Sequence, residues 1–285
     1  MTTTTATGPQ PLTIAIREVV DAGKIALPPL PNLVNRLMEL LRDRESVSSK
    51  QLARLVGTDP AVAATLLRWA NSAAFGGLSP IHDLSLAIAR LGLREVTSAV
   101  TALAHSGHFR SDDPVKSRIL EVLWGHALAT AMASKHIAGL TGGEPEESFV
   151  AGLLHDTGKL LVLRAVDHLE SRGKTEITPM VLDELMNVLH TELGHRILTS
   201  WSLPDPICSA ALHHHDEEPD ADHPLAIRVQ AADAVTRKMG FHLHPDSDMD
   251  LMGVAVVECL NLSDLELATM MVDLEDEIAE VRRLF

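Results

Sequence analysis

Apolar residues return every three or four positions along this chain. Prolines, serines and aspartates stand where each such run begins. In "LPPLPNLVNRLMELLRD", Leu33, Leu37, Leu40 and Leu41 share one face, and Pro28, Pro29 and Pro31 suit an extended lead-in and a first helical turn. "SSKQLARLV" opens with a Ser48-x-x-Gln51 capping box. "TDPAVAATLLRWANSAAFG" has Asp59 as N-cap, Pro60 at the first helical position and an apolar face of Val62, Leu66, Trp69 and Ala70. Gly76-Gly77 stops it. Asn71, at its end, reads as a residue that ties down backbone carbonyls or a neighbouring loop. "HDLSLAIARLGLREVTSAVTALA" carries Leu84, Ile88 and Leu91, a break near Gly92 and a second helix, with Asp83 as N-cap.

The second half continues in the same way. A helix spans about 114 to 138, and the alanines after His126 let other helices approach closely. Pro145 marks the start of "PEESFVAGLLHDTGKLLVLRAV". The segment carrying His190 ends at Pro204. His213, His214 and His215 close one helix, and Asp233 lies inside the next. Two further helices follow, the second capped by Ser263 or Asp264. The chain has no Tyr, three Trp and five Phe, and this aromatic-poor, Leu/Ala-rich make-up favours an all-α fold over sheet.

Charge and composition narrow the function classes. The net charge is −15, from 24 basic and 39 acidic side chains, and no Lys/Arg cluster supplies the footprint of a phosphate-neutralising nucleic-acid binder. Nucleic acid is therefore not an expected partner, and the acidity reads as solubility. No apolar run reaches the roughly 18 residues of a membrane span. "MTTTTATGPQP" lacks the basic and apolar regions of a secretory signal and reads as a short disordered leader. Cys208 and Cys259 are too few for a disulfide framework and read as buried thiols, which fits a cytoplasmic location.

Within the apolar run "GLLHDTGKLLV" stand His155, Asp156 and Lys159. His126, His190, His214, His215 and Asp233 interrupt other apolar faces in the same half. Imidazole and carboxylate suit iron, manganese, zinc or nickel, and helical bundles build metal sites from inward side chains on several helices. One or two such ions can acidify a bound water and clamp a phosphoryl group. Lys159, one turn beyond His155, is placed to neutralise a phosphate oxygen. Each residue also has a plainer account. A lone buried histidine is more often a hydrogen-bonded core residue, the His213–His215 run suits a solvated helix end, and Asp156 can cap a helix or pair with Lys159. Their concentration in one half of the chain favours a shared site.

The chain resembles the HDOD-domain family, a branch of the HD phosphohydrolase superfamily. The resemblance rests on "LPPLPNLVNRLMELL", "LVGTDPAVAATLLRWANSAAFG" and "LSLAIARLGLREV", then "LWGHALATAMA", "AGLLHDTGKLLV", "HTELGHRILTSWSLP" and "AALHHHDEEP". It implies an N-terminal helical subdomain, residues 27–112, packed on an HD-type helical core, residues 113–285. Residues 1–26 would be a flexible leader and lead-in. It also implies a bacterial signalling or regulatory role. The superfamily's metal set falls on His126, His155-Asp156 and Asp233. The related HD-GYP phosphodiesterases add a histidine and a His-His pair, matching His190 and His214-His215, with His213 as the competing member of the pair. The Gly-Tyr-Pro element of those enzymes is missing, so cyclic dinucleotide hydrolysis is not implied. Two functions follow. One is a non-catalytic signalling module acting through a protein partner, with no attached sensor or output domain. The other is a metal-dependent phosphohydrolase acting on a nucleotide or phosphodiester, with Asp156 and Lys159 in catalytic roles.

Overall fold

A computed structural model of the protein describes residues 9–25, 36, 48–72, 75, 79–173 and 177–282. Among them there is no β-strand. The helices are α1 (Pro9–Asp21), α2 (Ser49–Val56), α3 (Pro60–Ala70), α4 (Leu84–Ser106), α5 (Pro114–Thr141), α6 (Pro145–Leu154), α7 (Thr157–Ser171), α8 (Pro179–Ser200), α9 (Asp205–His213), α10 (Pro224–Lys238), α11 (Ala255–Cys259) and α12 (Asp264–Arg282). A short 3₁₀ turn, Leu251–Gly253, precedes α11. Apart from residue 36, the helix expected over residues 33–41 lies outside the described residues, as does the Gly76-Gly77 stop.

The expected caps hold. Ser48 and Gln51 form the reciprocal box, and Asp59 and Asp83 accept backbone N–H bonds at the starts of α3 and α4; Asp113 and Thr178, which the sequence reading did not name, do the same for α5 and α8. Ser263, not Asp264, caps α12, accepting from the Glu266 N–H while its own N–H donates to the Glu266 carboxylate. Each cap satisfies donors that the helix itself leaves open. Gly92 kinks α4 at φ +82°, a left-handed conformation that glycine adopts without strain. Asn71 ties the end of α3 to the next loop: its amide donates to the Leu67 and Ile81 carbonyls and its oxygen accepts the Ile81 N–H.

The chain divides into two compact units. One comprises residues 30–108 and 267–285. The other comprises residues 1–29 and 109–266 and contains every candidate site residue. In this second unit α5 packs on α6 and α10, α7 on α8, and α9 on α8 and α10. Leu128, Ile137, Leu153, Leu161, Leu185, Met186 and Leu189 are fully buried among them.

Two expectations are corrected. Residues 9–21, assigned to a flexible leader, form α1. Leu12, Ile16 and Val19 make a buried stripe at helical spacing, α1 contacts α7 and α8, and Arg17 and Asp21 pair with Glu192 and Arg196. Cys259 is exposed at the end of α11, whereas Cys208 is buried.

Candidate metal centre

Two glycines bring the site's helices together. A Cβ at Gly152 of α6 would lie 2.6 Å from Ser134 Oγ and 2.7 Å from the Thr130 carbonyl of α5. A Cβ at Gly158 of α7 would lie 1.9 Å from the His190 carbonyl of α8. Helices can cross this closely only where a side chain is missing. His155 and Asp156 sit between these crossings, at the joint where α6 ends and α7 begins.

The sequence-predicted residues converge here from six helices and their ends, α5 to α10. The Nε2 of His126 (α5) lies 3.2 Å from His155 Nε2, 3.2 Å from Asp233 Oδ1 and 3.5 Å from Asp156 Oδ2. His155 Nε2 is 3.4 Å from the same Asp156 oxygen. On the other side, His190 Nε2 lies 3.4 Å from Asp156 Oδ1 and 3.2 Å from His214 Nε2, which is itself 3.9 Å from Oδ1. His190, His214 and His215 form a second group with ligating atoms within 4.8 Å of one another. Asp156 therefore presents one oxygen to each group.

All four buried imidazoles are oriented alike. Nδ1–H donates to a backbone carbonyl: His126 to Phe241 at 2.7 Å, His155 to Gly152 at 2.7 Å, His190 to Met186 at 2.9 Å, and His214 to Ala211 at 3.1 Å. A carbonyl only accepts, so Nδ1 carries a proton in each ring and Nε2 is the nitrogen left to face the carboxylates. Facing lone pairs 3.2 Å apart repel unless a cation or proton lies between them. Thr130 and Thr236 hydroxyls flank His126 Nδ1 at 3.4 and 3.5 Å.

The charge states suit a cation. Burial works to raise the Asp156 carboxyl, but His155, Lys159 and His190 outweigh it and hold it well below the usual range. Asp233 is likewise held low, by His126 above all, against the effect of its burial. Burial pulls His190 down to about 4, pulls His214 well below its ordinary value and lowers His215. His155 is the exception: burial opposes its charge, yet the adjoining Asp156 raises it. Near neutral pH the two carboxylates are thus ionised and His190, His214 and His215 are neutral, the forms in which these groups ligate, while Asp156 favours the charged form of His155.

These residues fit a metal. Asp156 Oδ1 is buried and accepts no hydrogen bond, although a buried carboxylate oxygen ordinarily does. His126, His155, Asp156 Oδ2 and Asp233 would hold one ion, and His190, His214, His215 and Asp156 Oδ1 a second. Bound there, such ions supply Lewis acidity and an acidified water. Lys159, buried at 3% exposure, rests its ammonium on Asp156 Oδ2. The competing histidine of the triple is elsewhere: His213 bonds Asp216 at 2.8 Å and stacks on His223. The sequence reading missed His242, whose ring stands 4.9 Å from that of His126 and which burial brings down to about 4. It lies past the end of α10, where helical periodicity gives no signal.

Comparisons with known proteins show the family and the fold. The HDOD domain family matches residues 27–217. An uncharacterised protein of Treponema pallidum is 29% identical over 220 residues, covering 73% of this chain and 42% of its own length. The chain spans less than half the length of the curated relatives it matches. Among solved structures, an HDOD domain protein of unknown function from Geobacter sulfurreducens aligns at a TM-score of 0.71 with 26% identity, covering 97% of this chain and 99% of that one. A Shewanella amazonensis protein, provisionally described as a metal-dependent phosphohydrolase, aligns at 0.76 with 22% identity, covering 95% and 97%, which supports the fold alone.

Proposed function

Because this chain belongs to the HDOD domain family, we propose that it is a bacterial regulatory module built around a metal centre and acting mainly through contacts with a signalling partner. One observation carries the metal part: four buried imidazoles commit Nδ1 to backbone carbonyls and aim Nε2 at two ionised carboxylates. Polar side chains held only for packing have no need of a common tautomer or a common focus. The regulatory part is supported by enclosure. His126, His155, His190 and His214 are each at most 2% exposed, which suits a retained ion better than a large substrate.

A second reading, metal-dependent hydrolysis of a nucleotide or phosphodiester, is favoured by Lys159. Its ammonium stands beside Asp156, where it would neutralise a phosphoryl oxygen near the ions. One set of measurements separates the two. Elemental analysis of protein purified without chelators should find iron, manganese, zinc or nickel near one or two equivalents. Asp156→Ala should empty the centre while leaving helical content intact. Turnover on a nucleotide and phosphodiester panel that disappears with Asp156→Ala would establish the hydrolase. Metal without turnover, together with a partner recovered by pull-down, is the result expected of the regulatory module. Folded protein free of metal would remove both.

A further inference from the structure

The segment after α10 touches the centre twice. The Phe241 carbonyl accepts the Nδ1–H of His126 at 2.7 Å and so orients that ring. The next residue, His242, places a ring nitrogen within 4.8 Å of the ligating atoms of His126 and Asp233. We infer that His242 is a further ligand of the ion held between His126 and Asp233. The inference rests on the metal-centre reading above and extends it to a residue outside the family's motif positions.

Three features support it. First, the distances are within reach. Ligands about 2.1 Å from a shared ion stand roughly 3 to 4 Å apart, so the loop has under about 2 Å left to close. Second, His242 Nδ1 is occupied by the His244 backbone, with the N–H at 2.9 Å and the carbonyl at 3.1 Å. Nε2 is then the nitrogen left for a metal. In this conformation Nδ1 accepts the His244 N–H; an ion on Nε2 places the ring proton on Nδ1, where the His244 carbonyl at 3.1 Å would accept it once that N–H turns away. Third, the segment is anchored. Phe241 N–H donates to the Thr236 carbonyl at 2.9 Å, His244 Nε2 meets Asp183 Oδ1 at 2.8 Å, and the Lys238 ammonium donates to the Met249 carbonyl at 2.6 Å.

With His242 the first ion has three imidazoles and two carboxylates. That set suits a first-row divalent cation such as iron(II), manganese(II) or zinc(II), and leaves one position open in an octahedron. The second ion, with three imidazoles and the shared Asp156, remains the more open of the two. The 239–250 segment thus retains one ion while the other stays exchangeable.

The test titrates metal-stripped full-length protein with zinc(II) against a competing chelator, and counts imidazoles by X-ray absorption. Wild type should bind two ions of unequal affinity. His242→Ala should weaken the tighter one at least about tenfold and lower the imidazole count. His244→Ala, which releases the Asp183 tether and leaves His242 in place, should stay within about threefold of wild type. If His242→Ala folds poorly, His242→Gln fills the space without an imidazole and serves the same comparison. Equal affinities and equal imidazole counts in wild type and the His242 variants overturn the inference and leave the metal centre standing. Folded wild type that binds no zinc overturns both.

Discussion

Gly158→Ala is the sharpest perturbation of the centre, because its effect can be worked from one contact. The new Cβ would stand 1.9 Å from the His190 carbonyl oxygen, 2.6 Å from Gly194 N and 2.7 Å from the His190 carbonyl carbon. All three are backbone atoms, so no rotamer change relieves the clash. Carbon and oxygen need about 3 Å at the least, so α7 and α8 must part by roughly 1 Å. Forced overpacking of this kind costs about 1–3 kcal/mol, and a backbone-to-backbone clash belongs at the upper end. In a chain of this size that corresponds to a drop in Tm of about 5–10 °C. The same displacement takes His190 away from Asp156 Oδ1 and His214, now 3.4 and 3.2 Å from its Nε2. A ligand bond tolerates about 0.2 Å, so the second ion should be lost while the first, built on α5, α10 and the 155–156 joint, is kept. Calorimetry and elemental analysis read the two effects together. Gly139→Ala is the control: it lies in α5 with nothing within 4 Å of its Cβ, and should be neutral or stabilising by about 0.5–1 kcal/mol. A Gly158→Ala protein with wild-type Tm and metal content would refute the claim that this crossing sets the site.

Other outcomes follow from the same structure. Removing metal with a chelator should lower Tm, by the equivalent of about 2.7 kcal/mol if the protein was held at a hundredfold excess over Kd, and zinc should restore it; an unchanged melt in chelator would contradict a filled centre. Burial, with His108 adding to it, brings His105 of α4 down to about 3. The unfolded chain takes up this proton near pH 6.5 and the folded one does not, so the stability it contributes is present above pH 6.5 and is lost as pH falls toward 3. Chemical denaturation should show about 2 kcal/mol less stability at pH 5 than at pH 7 from this residue, and His105→Leu should flatten the slope by that amount; equal slopes would count against the buried neutral imidazole. Asn71→Ala, which removes two hydrogen bonds to the Ile81 backbone and one to the Leu67 carbonyl, should cost about 1–2 kcal/mol by denaturant midpoint, while Asn71→Asp should lose less because it can still accept the Ile81 N–H.

What the sequence determined by itself is largely local. The all-α class, the helix starts at Pro60, Pro114 and Pro145, the caps at Ser48, Asp59 and Asp83 and the kink at Gly92 depend on residues within one or two turns of each other. The identity of the polar residues that break apolar faces was legible for the same reason. The tertiary structure decided what depends on pairs far apart in the chain. His126 meets Phe241 across 115 positions and His155 across 29, and no periodicity encodes such distances. Packing alone selected His214 and His215 over His213, since only those two face His190. It also made α1 from a segment that reads as a leader, because the stripe of Leu12, Ile16 and Val19 is worth burying only once α7 and α8 provide a surface. His242 became visible only in three dimensions, since a loop residue owes its position to the elements it is anchored against and not to its neighbours in sequence.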